Sequence, residues 1–142
     1  MDYVPLNSTH EQAQVIGKAF DFLKQRGFVP RTEDSSTVRF ESADGRFVSV
    51  FWDAREQFLG FRVGHSSCPS DAVTDAELAL IESERVSYHA TRGTPREVGA
   101  AARAAAECLE ALGERALEGD PALFADVMEL RREHTRGYTG ET

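Results

Sequence analysis

The residues of this chain that could do chemistry are few, and the closest pairing is His65 with Cys68. An imidazole next to a thiol could supply half of a zinc site, or it could activate the thiol as a nucleophile. The other histidines, His10, His89 and His134, have no metal-ligand spacing. Because the sequence contains no HExxH, HxH or CxxC pattern, we expect no metal and assign no catalytic residue.

Motifs for nucleotide binding and acyl transfer are also missing from the sequence, which has no GxGxxG, GxxxxGK[ST] or GxSxG. Carboxylate pairs do occur, at Glu82 with Glu84 and at Asp71 with Asp75. A general acid needs burial that raises its pKa, and these pairs stand in charged segments that we expect to be solvated. The sequence therefore favours a protein without enzymatic activity or cofactor, but it does not decide the question.

A ligand pocket between sheet and helices remains the alternative. Its candidate lining is Trp52, His65, Tyr88 and His89, whose polar tips are the most suitable for a small molecule. A deep cavity converging on these tips would indicate a small-molecule-binding or enzymatic domain. A solid core at the same place would exclude it.

The net charge of −8 is unevenly placed along the chain. Residues 1–70 hold 9 acidic and 8 basic side chains, whereas residues 71–142 hold 15 acidic and 8 basic ones. The basic residues, 14 Arg and 2 Lys, are scattered. This distribution argues against direct binding of nucleic acid, which needs a basic surface, and it suits a basic protein partner.

Length and composition predict one domain over residues 1–142, with 137–142 a frayed tail. No apolar run approaches the roughly 18 residues that would span a membrane. The first residues, MDYVPLNSTHEQ, lack a basic start followed by an apolar segment. We therefore expect a cytoplasmic protein with two reduced cysteines and no membrane contact.

The elements that must position these residues begin with a sheet over residues 37–63. Three runs there alternate with period two, which predicts antiparallel strands. A two-residue loop at the first turn would pair Phe40 with Ser49, whereas a three-residue loop ending at a left-handed Gly45 pairs Phe40 with Val48. We predict the three-residue loop, because it gives the most uniform apolar face.

The second turn, Asp53-Ala54-Arg55-Glu56, is predicted to place Val50 opposite Leu59 and Val48 opposite Phe61. Both turns then agree on one core face, which consists of Val38, Phe40, Val48, Val50, Leu59 and Phe61, with Trp52 and Val63 at its ends.

The opposite face of this sheet carries the rings of Phe47, Phe51 and Phe58, with Phe51 predicted directly across from Phe58. Arg39, Glu41, Ser49 and Arg62 share that face. A C-terminal helix could cover the rings, a partner could bind them, or they could line a small-ligand groove.

Capping signals predict helices before and after these strands in the sequence. The first is expected over 8–26, opened by Ser8 and Glu11 and ended by Gly27. A second opens at Thr74 with Glu77, a third runs from Pro95 to about 118, and a fourth follows Asp120-Pro121. The segment 85–93 is either a fourth strand or a loop. The predicted class is α+β: an N-terminal helix, an antiparallel meander of three or four strands, and two to three C-terminal helices packed on the sheet.

Two segments carry a family resemblance, FDFLKQRGF (Phe20 to Phe28) and LEGDPALFADV (Leu117 to Val127). With the order of elements, they are similar to small bacterial proteins of uncharacterised families, several of which are immunity proteins of polymorphic toxin systems. The resemblance implies an acidic cytosolic protein that binds and blocks a toxin domain, often a basic nuclease. Immunity families share no catalytic residues, so none is carried over.

The first hypothesis is thus a protein-binding immunity protein. Its candidate contacts are Phe47, Phe51 and Phe58 as anchors, with Glu107, Glu110 and Glu114 on the charged side of the long helix. Besides the ligand pocket, a further alternative is a homodimeric accessory protein that pairs through the second sheet face.

Overall fold

An antiparallel sheet with helices on one face forms the centre of the fold. The computed structural model describes residues 13–34, 37–53, 55, 58–81 and 95–138. Its strands are β1 (Phe28–Asp34), β2 (Thr37–Ser42), β3 (Arg46–Asp53), β4 (Phe58–His65) and β5 (Val73–Thr74). Its α-helices are α1 (13–19), α2 (Asp75–Ile81), α3 (Pro95–Leu112), α4 (Glu114–Leu117) and α5 (Pro121–Tyr138), with 3-10 turns at Asp21–Arg26 and Pro69–Asp71. The predicted α+β class is confirmed.

The sheet is a meander in the order β1-β2-β3-β4-β5, with every neighbouring pair antiparallel. The three predicted strands are present, and β1 and β5 were not predicted. Pro30 hides β1 in the sequence, because proline cannot donate to a ladder. It is tolerated here because β1 is an edge strand, where Pro30 stands opposite Phe40. The fourth strand considered at 85–93 lies outside the described residues.

The register of the first hairpin is confirmed, with Phe40 opposite Val48 and Gly45 in the left-handed region at a φ of 95°. The predicted register of the second hairpin is wrong by two residues, because Val50 stands opposite Phe61 and Val48 opposite Val63. A slip of two residues keeps every side chain on its face, so the predicted core face survives the error.

That core face is buried as predicted, and helices pack against it. The ring of Phe20, at the end of α1, lies 6.3 Å from the ring of Phe40 and 6.4 Å from that of Phe61. Each of the other described helices also sends side chains into the same cluster: Leu78 from α2, Ala102, Ala105 and Leu109 from α3, Leu117 from α4, and Leu123 and Val127 from α5.

Helix ends follow the predicted signals only in part. Gly27, at a φ of 88°, ends the first helical region as predicted, although that region divides into α1 and a 3-10 turn. The Ser8–Glu11 capping pair lies outside the described residues. The predicted helix from Pro95 to 118 is wrong, since α3 ends at Leu112.

Gly113 causes this early break. A methyl group added there would clash with Cδ1 of Leu109, and the Gly113 amide donates to the Leu109 carbonyl at 2.7 Å. The close approach lets the chain turn at once into α4, which Gly119 ends at a φ of 72°.

The two other capping predictions within the described chain are confirmed. The Thr74 amide donates to Oε1 of Glu77 at 3.0 Å, and the Glu77 amide donates to Oγ1 of Thr74 at 3.2 Å. Before α5, Oδ1 of Asp120 accepts from the Ala122 amide at 3.0 Å. These bonds satisfy backbone donors that a helix start leaves unpaired.

Candidate functional site

The face of the sheet opposite the core carries a shallow groove of about 400 Å³. We call it the sheet groove; it is lined by Thr37, Arg39, Phe47, Ser49, Phe51, Arg62 and Pro69. The helices α1 to α5 join the core cluster on the other face, so none of the helices that the structure describes covers the groove.

The aromatic residues predicted on this face differ in their surroundings. Phe47 is only 3% exposed and lies beneath Arg39, whose guanidinium carbon is 4.0 Å from the ring centre. Phe51 is half-buried, with the guanidinium carbon of Arg62 5.6 Å from its ring centre. Of these two rings, Phe51 keeps the larger exposed surface.

The predicted pairing of Phe51 with Phe58 is wrong. Phe51 stands opposite Gly60, and Phe58 stands opposite Asp53. The side chain of Phe58 lies outside the described residues. Since Gly60 has no side chain to meet the ring of Phe51, the cross-strand neighbour that reaches it comes from Arg62, which is diagonal to Phe51.

A row of arginines crosses the same face. In the ladder Arg31 stands opposite Arg39, Arg39 opposite Ser49, and Ser49 opposite Arg62. Directly opposite residues share a face, so Arg31, Arg39 and Arg62 form one line across four strands, which we call the arginine row. Glu41 accepts from Arg31 at 3.1 Å and from Arg39 at 2.8 Å, at the β1 side of the row.

Sequence reasoning placed Arg39, Ser49 and Arg62 on this face but did not find the row. The predicted second-hairpin register would have set Arg62 opposite Phe47 rather than opposite Ser49. Arg31 was missed because β1 was not predicted. Spacing along the sequence does not reveal the row, because a register shift between Thr32 and Asp34 leaves Arg31 and Arg39 at unequal distances from the turn between β1 and β2.

The acidic candidates lie on the helical side of the molecule. Glu107 and Glu110 are exposed on α3, and Glu114 opens α4, where it accepts from Nη2 of Arg26 at 2.5 Å. That bond, followed by one shared with Glu118, lowers the pKa of Glu114, and the Glu114 carboxylate in turn raises the pKa of Glu118. Because α3 packs on the core face, the sheet separates these carboxylates from the sheet groove.

A second cavity, of about 370 Å³, lies where the end of β4 meets α4 and α5. We call it the His65 cleft; its lining is Asp44, Arg46, Gly64, His65, Cys68, Asp71, Ala116, Glu118, Gly119 and Phe124. Of the four residues predicted for a ligand pocket, His65 lines it.

Trp52 takes no part in the His65 cleft, because it is 4% exposed and belongs to the core cluster. Its indole nitrogen is buried without a hydrogen-bond partner among the residues described. Tyr88 and His89 lie outside the described residues. Trp52 and His65 therefore do not line one cavity among the described residues, since Trp52 is part of the core.

Both ring nitrogens of His65 are already in hydrogen bonds. Nδ1 accepts from the Ser67 amide at 3.1 Å, so this nitrogen carries no proton, and the Ser67 hydroxyl donates to it at 2.8 Å. Nε2 then carries the proton and donates to the Asp44 carbonyl at 2.8 Å. Both imidazole nitrogens therefore stabilise the turn, and neither is available to bind a metal or to act as a general base.

Asp44 and Arg46, which also line the His65 cleft, form hydrogen bonds that hold the surrounding structure together. Hydrogen bonds from Ser42 and Arg46 lower the pKa of Asp44 to about 2. Arg46 also donates to the Leu117 carbonyl, which ties the hairpin to the end of α4. Cys68 is exposed, and its sulfur lies 3.8 Å from the Ser67 hydroxyl.

Neither a metal-binding cluster nor a membrane-spanning helix is present among the described residues. No group of three or more His, Cys, Asp or Glu side chains there could hold a metal ion. None of the helices described has the length and apolar character needed to cross a membrane.

No protein-family model, curated protein or solved structure matches this chain. The likeness to immunity proteins thus stays a prediction.

Proposed function

We propose that this chain is a protein-binding protein without enzymatic activity, most concretely a bacterial immunity protein that acts in the cytoplasm by neutralising a toxin domain. The observation that carries the proposal is the sheet groove with its half-buried ring of Phe51. A sheet face that keeps aromatic and arginine side chains accessible has the composition of a binding surface.

Phe51 is suited to be the central anchor. It stands on β3, the middle strand of the sheet, and its ring is half-buried, so little side-chain freedom remains to be lost when a partner covers it. Arg62 stacks near the ring and adds a second large side chain of the type found at binding hot spots. Of the three predicted anchors we keep Phe51. Phe47 is already buried under Arg39, and the side chain of Phe58 lies outside the described residues.

The acidic side chains of α3 have a different part in the proposal. Glu107 and Glu110 stand on the other side of the sheet and cannot contact a partner that sits in the groove. With the net charge of −8 they attract a basic toxin domain over distance and speed its encounter.

A growth assay tests this function. Open reading frames next to the gene in its source genome are expressed in a bacterial host, alone and together with this chain. We expect one of them to stop growth and the wild-type chain to restore it by binding the toxic product. Phe51→Asp should abolish the rescue, because it puts a charge into the contact.

Leu80→Asp is the matched control, because Leu80 is an apolar residue 65% exposed on α2, on the helical side. It should rescue growth as the wild type does. Circular dichroism and urea unfolding of both variants establish that they fold. A folded Phe51→Asp that still rescues growth would contradict the proposed binding face.

The homodimer alternative is tested on the same proteins by light scattering. A wild-type dimer that Phe51→Asp converts into a monomer would assign the sheet groove to self-association and would replace the immunity proposal. A wild-type monomer would remove this alternative.

A further inference from the structure

We infer that the arginine row in the sheet groove receives a carboxylate side chain of the partner protein, next to an apolar side chain that covers Phe51. This inference rests on the proposed function and names the chemistry by which the partner is recognised. It assigns the sheet groove to an acid, although the chain as a whole suits a basic partner.

The ladder sets the arginines at a spacing that suits one carboxylate. Arg39 and Arg62 are each directly opposite Ser49, on its two sides. Neighbouring strands lie about 4.8 Å apart, so the backbones of the two arginines are roughly 10 Å apart with the Ser49 hydroxyl between them. The guanidinium of Arg39 leans over Phe47 and that of Arg62 leans towards Phe51. Both can reach a carboxylate in front of Ser49 when Arg62 swings away from the Phe51 ring, and the Ser49 hydroxyl adds a third donor.

The charges of the groove favour an anion. Among its lining residues the charged ones are Arg39 and Arg62, both positive, on a chain whose net charge is −8. The His65 cleft differs, because Asp44, Asp71 and Glu118 line it beside Arg46. Glu41 balances part of the charge of Arg39, and Arg62 adds a positive charge beside that pair, so charge complementarity favours an acidic group in the sheet groove.

The two arginines are held in different ways. Arg39 stacks on Phe47 and donates to Glu41 at 2.8 Å and to Ser66 at 3.3 Å, so its guanidinium is positioned before a ligand arrives. Arg62 is exposed, and its guanidinium carbon lies 5.6 Å from the ring centre of Phe51. A fixed arginine and a movable one allow the site to close on a carboxylate from one side.

Phe51 defines what stands beside the acid. Its ring adjoins Arg62, so a partner residue next to the bound carboxylate meets an aromatic surface. The recognised element is thus an acidic residue followed or preceded by an apolar one. A nucleic-acid backbone fits less well, because a polyanion needs a longer basic surface and is repelled by the remaining charge of the chain.

A peptide titration tests the inference without the partner. The probe is Ac-Ser-Asp-Leu-Ser-amide, and its uncharged counterpart is Ac-Ser-Asn-Leu-Ser-amide. Both are titrated into the nitrogen-15-labelled chain, with the arginine side-chain signals and the backbone amides followed by NMR. We expect the Asp peptide to shift the signals of Arg39, Arg62 and Ser49, and the Asn peptide to bind about tenfold more weakly.

Arg62→Gln should weaken binding of the Asp peptide about tenfold, whereas Arg132→Gln should leave it unchanged. Arg132 is the matched control, as an exposed arginine on α5 that bonds to Glu129. Equal shifts by both peptides, an unaffected Arg62→Gln, or no shift up to about 10 mM peptide would each overturn the inference. A single-stranded oligonucleotide that shifts the same signals at a lower concentration than the Asp peptide would also overturn the inference.

The peptide result and the growth assay can fail separately. If growth rescue is lost in Phe51→Asp but kept in a folded Arg62→Gln, the proposed function stands and acid recognition is wrong. If no neighbouring gene product is neutralised while the Asp peptide still binds at Arg62, acid recognition stands and the immunity function is wrong.

Discussion

At the scale of single residues, Arg131 connects α5 to α2 and to the segment before β5. It donates to both carboxylate oxygens of Glu77, at 2.6 and 2.8 Å, and to the carbonyls of Ser70 and Ala72, at 3.1 and 2.7 Å. We expect Arg131→Met to lower the free energy of unfolding by about 2–3 kcal/mol, because it leaves a half-buried carboxylate unpaired. Urea unfolding followed by circular dichroism measures the change.

Arg132→Met is the control for this prediction. Arg132 is the next residue of the same helix, and its ion pair with Glu129 is well exposed, so its loss should change stability by less than about 0.5 kcal/mol. Equal losses in the two variants would show that Arg131 acts through helix propensity or general charge rather than through its bonds.

Glu77 makes the same connection sensitive to pH. Burial raises its pKa, but hydrogen bonds from Arg131 and Thr74 outweigh burial, and the pKa is lowered below 4.5. The folded pKa lies below the unfolded one, so the carboxylate stabilises the fold above about pH 4.5, and this contribution is lost as pH falls through the folded pKa.

The matching variant is Glu77→Gln, which keeps a capping side chain but cannot ionise. We expect wild type to be the more stable protein at pH 7 and the difference to shrink as pH falls from about 5 to 3. Urea unfolding across this range measures it, and the other carboxylates cancel because both proteins carry them. A difference that stays constant with pH would contradict the assigned role of Glu77.

At the scale of elements, two glycines should respond in opposite ways to the same change. A methyl group at Gly64 on β4 would lie 2.7 Å from Cβ of Ala72 and 3.3 Å from the ring of Phe47, so the segment after β4 would have to move. At Gly99 in α3 the nearest atoms lie at 3.6 and 3.8 Å, which is ordinary contact.

We expect Gly64→Ala to destabilise the fold by about 1–3 kcal/mol through overpacking. We expect Gly99→Ala to be neutral or to stabilise it by up to about 1 kcal/mol, since alanine is the better helix former. Thermal unfolding of both variants measures this. A stabilised Gly64→Ala would mean that the loop after β4 packs less closely on the sheet than described.

Some elements could be predicted from local sequence signals and others could not, for physical reasons. The capping pair of Thr74 and Glu77 was predictable because its bonds are made between neighbours in the chain. The break at Gly113 was not, because glycine in a helix is tolerated and its cause is a close contact with Leu109. The edge strand β1 was hidden by Pro30, whose missing amide matters only once the strand order is known.

At the scale of the whole molecule, the acidic residues of α3 and the sheet groove lie on opposite sides of one sheet. The excess of acid in residues 71–142 and the rings of residues 47–58 could each be predicted from the sequence. Their separation could not, since it depends on which face α3 covers. The arginine row was not predicted for a similar reason. A two-residue slip in the second hairpin leaves every side chain on its predicted face but changes every cross-strand pair.

This separation predicts that the helical side of the molecule controls the association rate of a partner and that the sheet groove controls its dissociation rate. With the toxin domain found by growth rescue, we expect Glu107→Gln combined with Glu110→Gln to slow association about 2- to 10-fold at low salt and to leave dissociation unchanged. Phe51→Ala should leave association nearly unchanged and speed dissociation about 30-fold, the effect of losing an anchor worth about 2 kcal/mol.

Stopped-flow kinetics at low and physiological salt separates the two rates. Added salt should slow association of the wild type and remove the difference from the double glutamine variant, because screening cancels attraction over distances beyond about 10 Å. If the double variant instead speeds dissociation, the partner touches α3 directly. The contact would then lie on the helical side, and the sheet groove would be free in the complex.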